Sequence, residues 1–171
     1  MTSQLHRDIR GLRDDILAMG GKVELAVERA SKALMERDAV AARKVVEDDA
    51  EIDTLELHID DECLKILALH QPVAGDLRRI TTAMKINNDL ERIGDQAVNI
   101  AERVLDLVHR GPIDAELSID QMTSTTRWML RSSLNALVKL DADLAREICA
   151  RDDEVDQLNR DHFTTLIARM H

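Results

Sequence analysis

The stretch from Asn87 to Glu102, NNDLERIGDQAVNIAE, decides the fold. Its apolar residues Leu90, Ile93, Ala97 and Ile100 advance in steps of three and four, the spacing of one helix face. The pattern continues outward to Ala83, Ile86, Val104 and Leu107. With Leu90 set at zero, Glu91, Asp95 and Asn99 fall at about 100°, 140° and 180° around the helix. The apolar stripe therefore points one way, and a row of two carboxylates and an amide points another. Asn88, Glu102 and Asp106 share the acidic sector, Arg92 and Arg103 sit on its edge, and no basic residue stands inside the row.

The same periodicity runs through the rest of the chain. Val45, Ile52, Ile59 and Ile66 recur at strict sevens with Leu55 between them, a packing stripe of a helix in a bundle. Breaks are few. Met35 to Asp38 reads as a turn, because the apolar spacing changes there. His70-Gln71-Pro72 is a clear break, with Pro72 placed for the first turn of the following helix. Gly111-Pro112 is another, and Gly20-Gly21 is either a kink or a tolerated pair. Five helices are predicted, over about 3–35, 38–69, 73–109, 117–139 and 141–170. Short turns between long helices imply antiparallel neighbours.

Composition agrees with an all-α chain. Among 171 residues there are six Gly, two Pro, one Trp, one Phe and no Tyr, so helix breakers and sheet-favouring aromatics are both scarce. Charged residues make up 33% and the net charge is −10, a balance that argues against nucleic acid and against an anionic membrane surface. No apolar run of about 18 residues spans a membrane, and MTSQLHRDIR has no signal-peptide core. A cytoplasmic location is expected by default. Cys63 and Cys149 form no CxxC pair and are expected as two reduced, buried thiols.

The chain also repeats itself. VVEDDAEID (Val45 to Asp53) resembles ICARDDEVD (Ile148 to Asp156) at an offset of 103 residues. At that offset Asp38 meets Asp141, Arg43 meets Arg146, Leu55 meets Leu158 and Leu34 meets Leu137. Helices one and two thus recur as helices four and five. The expected architecture is tandem three-helix bundles, the second lacking its last helix. Residues 1–111 form the complete first repeat, and residues 112–171 supply the first two helices of the second. An apolar groove left open by helices four and five is expected unless a partner fills it.

The acidic row on helix three has two readings. Charge runs are usually solvated helix faces, but such faces alternate sign, since like charges four apart are mildly destabilising. The alternative is a site for a hard cation, with Glu91, Asp95 and Asn99 offering oxygen ligands at one-turn spacing. One helix cannot close a coordination sphere. Helix two carries a second such row, Asp49, Asp53, Glu56 and Asp60, whose orientation the sequence does not fix. No Glu-x-x-His occurs, which argues against a ferritin-like di-iron site. The six histidines are scattered and read as surface or helix-end residues. No P-loop, GxGxxG, GxSxG or HExxH is present, and no enzymatic activity is expected.

QPVAGDLRRI (Gln71 to Ile80), followed by MKINNDLERIGDQAVNIAE (Met84 to Glu102), resembles the PhoU family of phosphate-signalling regulators. That family carries E/D-x-x-x-D-x-x-x-N metal-binding motifs on tandem three-helix bundles, and here the motif reads Glu91, Asp95, Asn99. The resemblance implies a divalent or trivalent metal ion: iron, zinc, magnesium or manganese. It also implies a negative regulator of the phosphate-starvation (Pho) regulon that limits phosphate uptake. Its partners would be the phosphate ABC transporter and its sensor histidine kinase, so that it meets the membrane only through proteins, and it would be a homodimer. The family's second motif lies on a helix this sequence does not include, so the carry-over covers one metal site. A metal-binding or metal-storing bundle without a signalling role is the alternative.

Overall fold

The structure, a computed structural model, describes residues 2–110 and 117–170. It contains five helices: α1 (Thr2–Glu36), α2 (Ala39–His70), α3 (Ala74–Leu107), α4 (Ile119–Lys139) and α5 (Ala142–Met170). Among the described residues there is no strand. The helix bounds lie within two residues of those the apolar spacing predicts. The expected break at Gly111-Pro112, and with it the boundary between residues 1–111 and 112–171, lies outside the described residues.

Helices α1, α2 and α3 pack on one another, α4 docks on α1, and among the described helices α5 packs on α4 alone. The strict sevens of α2 all point inward: Val45, Ile52, Ile59 and Ile66 are each no more than 4% exposed. Ile52, Ile59 and Ile66 meet Leu12, Ile16, Met19 and Val23 of α1 and Ile80, Ala83 and Leu90 of α3 in one continuous core, while Val45 packs at the far end of the bundle. A second cluster closes the far end with smaller side chains, among them Ala30, Ala33, Ala42, Ala97 and Ala101. Fully burying an Ile or Val there contributes roughly 1.5–3 kcal/mol, so this three-layer stripe holds the bundle.

The sequence repeat reappears in the backbone. Arg37 and Leu140, 103 residues apart, both adopt the left-handed conformation, with φ of 54° and 55°. Each is followed by an aspartate whose N–H closes the preceding helix: Asp38 donates to Ala33 O at 3.0 Å and Asp141 to Ala136 O at 2.9 Å. Each aspartate then caps the next helix. Asp38 Oδ1 accepts from Val40 and Ala41, and Asp141 Oδ1 from Asp143 and Leu144. Arg37 also reaches the end of α3, donating to the carbonyls of Leu107 and Arg110.

Two expectations change. Pro72 does not enter α3: Gln71 takes the left-handed cap of α2, Val73 is the N-cap of α3, and Pro72 lies in the linker between them. Cys63 is buried as expected, but Cys149 is exposed. The cause is that α5 buries only the face it turns to α4. Of the two readings of Gly20-Gly21, the tolerated pair holds, since α1 runs through it unbroken. Gly20 instead receives α4: a Cβ there would overlap Leu134 Cδ1. The same contact is clamped by Glu24, which accepts from Arg127 at 3.1 Å and from Arg131 at 2.5 Å. On the other side of α4, the Arg151 guanidinium of α5 lies 4.6 Å from the Trp128 ring centroid.

The α4–α5 hairpin leaves Phe163 66% and Ile167 42% exposed. A groove of about 640 Å³ opens elsewhere, between α1, α3 and the C-terminal end of α4.

Candidate functional site

The site begins with a glycine. Gly94 is buried in the α2–α3 seam, and a Cβ built on it would lie 3.4 Å from Ile52 and 3.6 Å from Asp49 Oδ1. Backbone of α3 therefore runs close beside α2 at the level of Asp49. Rotation of the two helices to bury Ile52, Ile59, Leu90 and Ala97 then turns both acidic rows toward the same edge of the seam. The orientation left open by the sequence is resolved: the rows of α2 and α3 face each other.

Their mutual field is repulsive. Burial raises the Asp49 carboxyl above its ordinary value, and Asp53 and Asp95 add to the rise. Burial likewise raises Glu56, reinforced by Asp60 and Asp53. Glu91 is raised by burial, then by Asp95 of its own helix and by Glu56 and Asp53 across the seam. Desolvation and like charge act in the same direction at each of these groups.

Basic side chains stand nearby but are committed to other acids. Arg92 pairs with Asp89 and Arg103 with Asp106, each three residues away on α3. Arg29 and Lys44 converge on Asp48, and Lys22 takes Glu51. Among the described residues, no Lys, Arg or His forms an ion pair with Asp49, Asp53, Glu56, Asp60, Glu91 or Asp95. The histidines lie elsewhere: His70 pairs with Asp8 at 2.8 Å, His58 faces Asp15 at 3.6 Å, and His162 accepts from the Ser118 N–H at 2.8 Å.

Of the three residues singled out from the sequence, Glu91 is half-buried, while Asp95 and Asn99 are exposed on the following turns. The donor chemistry suits a hard cation, since the seam offers carboxylate and amide oxygens and neither thiolate nor imidazole. The side chains are not gathered around a point. Among the described residues no three His, Cys, Asp or Glu stand close enough together to hold a metal ion. A cation would be held only after carboxylates of the two rows turned toward each other.

The sequence reading missed Asn87. It has no solvent exposure, and its Nδ2 donates to Glu56 O at 2.9 Å and to Asp60 Oδ1 at 3.2 Å. Its Oδ1 has no partner among the described residues. The signal was present: Asn87 stands four residues after Ala83 and seven before Gly94, inside the buried stripe.

These features define a class: an all-helical protein in which a closed three-helix bundle is followed by a copy of its own first hairpin, with opposed acidic rows along one seam. The PhoU domain family matches residues 16–104 and 119–171, and the chain belongs to that family. It is 37% identical over 171 residues to the phosphate-specific transport system accessory protein PhoU homolog of Pseudomonas putida, covering 99% of this chain and 67% of that protein. Against the Aquifex aeolicus (strain VF5) protein described in the same words it is 35% identical, covering 91% and 70%. The crystal structure of PhoU from Pseudomonas aeruginosa superposes with a TM-score of 0.92 at 36% identity, over 96% of this chain and 79% of that one. The phosphate transport system regulatory protein PhoU from Streptococcus pneumoniae gives 0.84 at 30% identity, over 90% and 72%.

Proposed function

We propose that this chain is an accessory protein of a phosphate-specific transport system. In this reading it represses the phosphate-starvation response when phosphate is plentiful, limits phosphate uptake, and acts as an adaptor between the transporter and its sensor histidine kinase. The observation that carries the reading is the family motif on α3 standing against a second acidic row on α2. The reading contains no chemical step; long, stiff helix faces are surfaces for partner helices.

Glu91, Asp95 and Asn99 from α3 would hold a metal ion, with Asp49 and Asp53 of α2 completing its oxygen ligands. The ion would supply positive charge where the two rows repel, tying α2 to α3. Added manganese or magnesium should then raise the melting temperature, chelation should lower it, and Asp95→Ala should lose both the metal and the response. Equal, negligible metal content in wild type and variant would remove the metal from the reading.

The function is tested by alkaline phosphatase activity in phosphate-replete cells lacking this gene, with this chain added back. High activity without the gene that falls on add-back supports regulation. Unchanged activity on deletion overturns it and leaves a metal-binding bundle without a signalling role.

A further inference from the structure

We infer that the groove between α1, α3 and the end of α4 is a docking site for an amphipathic helix of a partner protein whose apolar stripe is flanked by carboxylates. The inference goes beyond the regulatory reading: it names a surface and the chemistry of its occupant, and an isolated binding measurement tests it whatever the phosphatase assay returns.

The shape fits a helix. The groove encloses about 640 Å³, within the range of built binding sites. Its long walls are residues 6–16 of α1 and 75–86 of α3. At about 1.5 Å per residue each wall is roughly 15 Å long, room for about three turns of a helix laid between them. Ile9, Leu12 and Ile86 form the apolar floor, and Gly75 and Ala83 are small enough on the α3 side for close approach. An open apolar trough between two helices is the geometry that receives an amphipathic helix by its apolar face.

The rim fixes the sign of the occupant. Arg10 and Arg13 stand on one side, Arg78 and Arg79 on the other, and among the described residues no Asp or Glu lines the groove. This concentration of positive charge occurs in a chain of net charge −10. Arg13 pairs with Asp14 and Arg79 with Asp76, both outside the lining. Arg10 and Arg78 have no carboxylate partner among the described residues. Exposed guanidinium groups on both lips of an apolar trough select a helix with Asp or Glu beside its apolar stripe, and repel a basic one.

The test uses two synthetic 18-residue helical peptides with the same leucine stripe, one flanked by Glu and one by Lys. Binding to the whole chain is followed by fluorescence anisotropy of a labelled peptide. The Glu peptide is expected to bind at least tenfold tighter than the Lys peptide, and R10E/R78E should abolish that preference. Val138→Glu, at a lining position already 36% exposed, should weaken the Glu peptide without altering helicity by circular dichroism. No binding, equal binding of both peptides, or no effect of R10E/R78E overturns the inference. So does self-association that R10E/R78E removes, which would give the groove to a second copy. Charge-dependent binding to phosphatidylglycerol vesicles in place of the Glu peptide would give it to a membrane surface and equally overturn it.

Discussion

Asn87 sits without solvent between α2 and α3, and only half of its amide is satisfied. An unpaired buried acceptor costs roughly 1–3 kcal/mol, so the residue holds Asp60 and the Glu56 carbonyl in place at some expense to the bundle. Asn87→Asp would put a charge beside Asp60 where neither solvent nor a cation reaches it. It should cost about 3 kcal/mol or more in urea unfolding at neutral pH. The loss should shrink as the pH falls and the new carboxyl is protonated. Gly94 behaves oppositely. Its neighbours leave ordinary contact distance for a methyl group, so Gly94→Ala should gain about 0.5–1 kcal/mol from helix propensity. The same experiment checks whether metal affinity tolerates that methyl beside Asp49. Glu91, Asp95 and Asn99 were legible as a row because helix period alone sets their spacing. Asn87 stands in the same register as the buried stripe, but a polar letter there does not say what its amide bonds to.

At the scale of helices, apolar period and the breaks were enough to draw the bounds, and the repeat was legible in the pairing of Asp38 with Asp141, though not in the matching left-handed turns at Arg37 and Leu140. Rotation of each helix about its own axis was not. It depends on how Ile52, Ile59, Leu90 and Ala97 fit together across the seam, so the facing of the two acidic rows emerged only in three dimensions. The seat of α4 was equally hidden, since nothing in Gly20 or Glu24 names a partner more than 100 residues away. That seat is testable. Burial works to raise the Glu24 carboxyl, but hydrogen bonds from Arg131 and Arg127 outweigh it and hold the group below its ordinary value. A depressed carboxyl stabilises above its unfolded value and stops doing so as the pH falls through its folded one. Glu24→Gln should therefore speed hydrogen exchange across α4 and α5 at pH 7 and leave α1–α3 protected. Uniformly faster exchange would mean that the two parts do not separate.

Over the whole molecule the shifted carboxyls fall into two opposed groups. Asp49, Glu56 and Glu91 all have raised carboxyls. For such groups the native state binds more protons than the unfolded chain in the interval above the ordinary carboxylate value, and stability falls as the pH rises through their folded values. Without divalent cations, the melting temperature should therefore rise as the pH is lowered from 7 toward about 5. It should fall again only once Glu24 and Asp8, whose carboxyls are depressed, begin to take up protons. A divalent ion in the seam should flatten the first limb. Thermal melts across that range, with and without manganese, check both statements. A melting temperature that declines steadily from pH 7 would mean the rows do not strain the fold.

The helices of this chain meet in an order that matters during its synthesis. Among the described helices α5 touches α4 alone, and α4 reaches the bundle only through α1. On a ribosome, the closed packing of α1, α2 and α3 needs nothing from the residues that follow it, and domains generally fold as units in chain order. Gly20 and Glu24 are then already displayed as a landing place while α4 is still unmade. Helices α4 and α5 thus arrive as passengers on a finished vehicle, and a nascent chain halted after α3 would already hold both acidic rows in register.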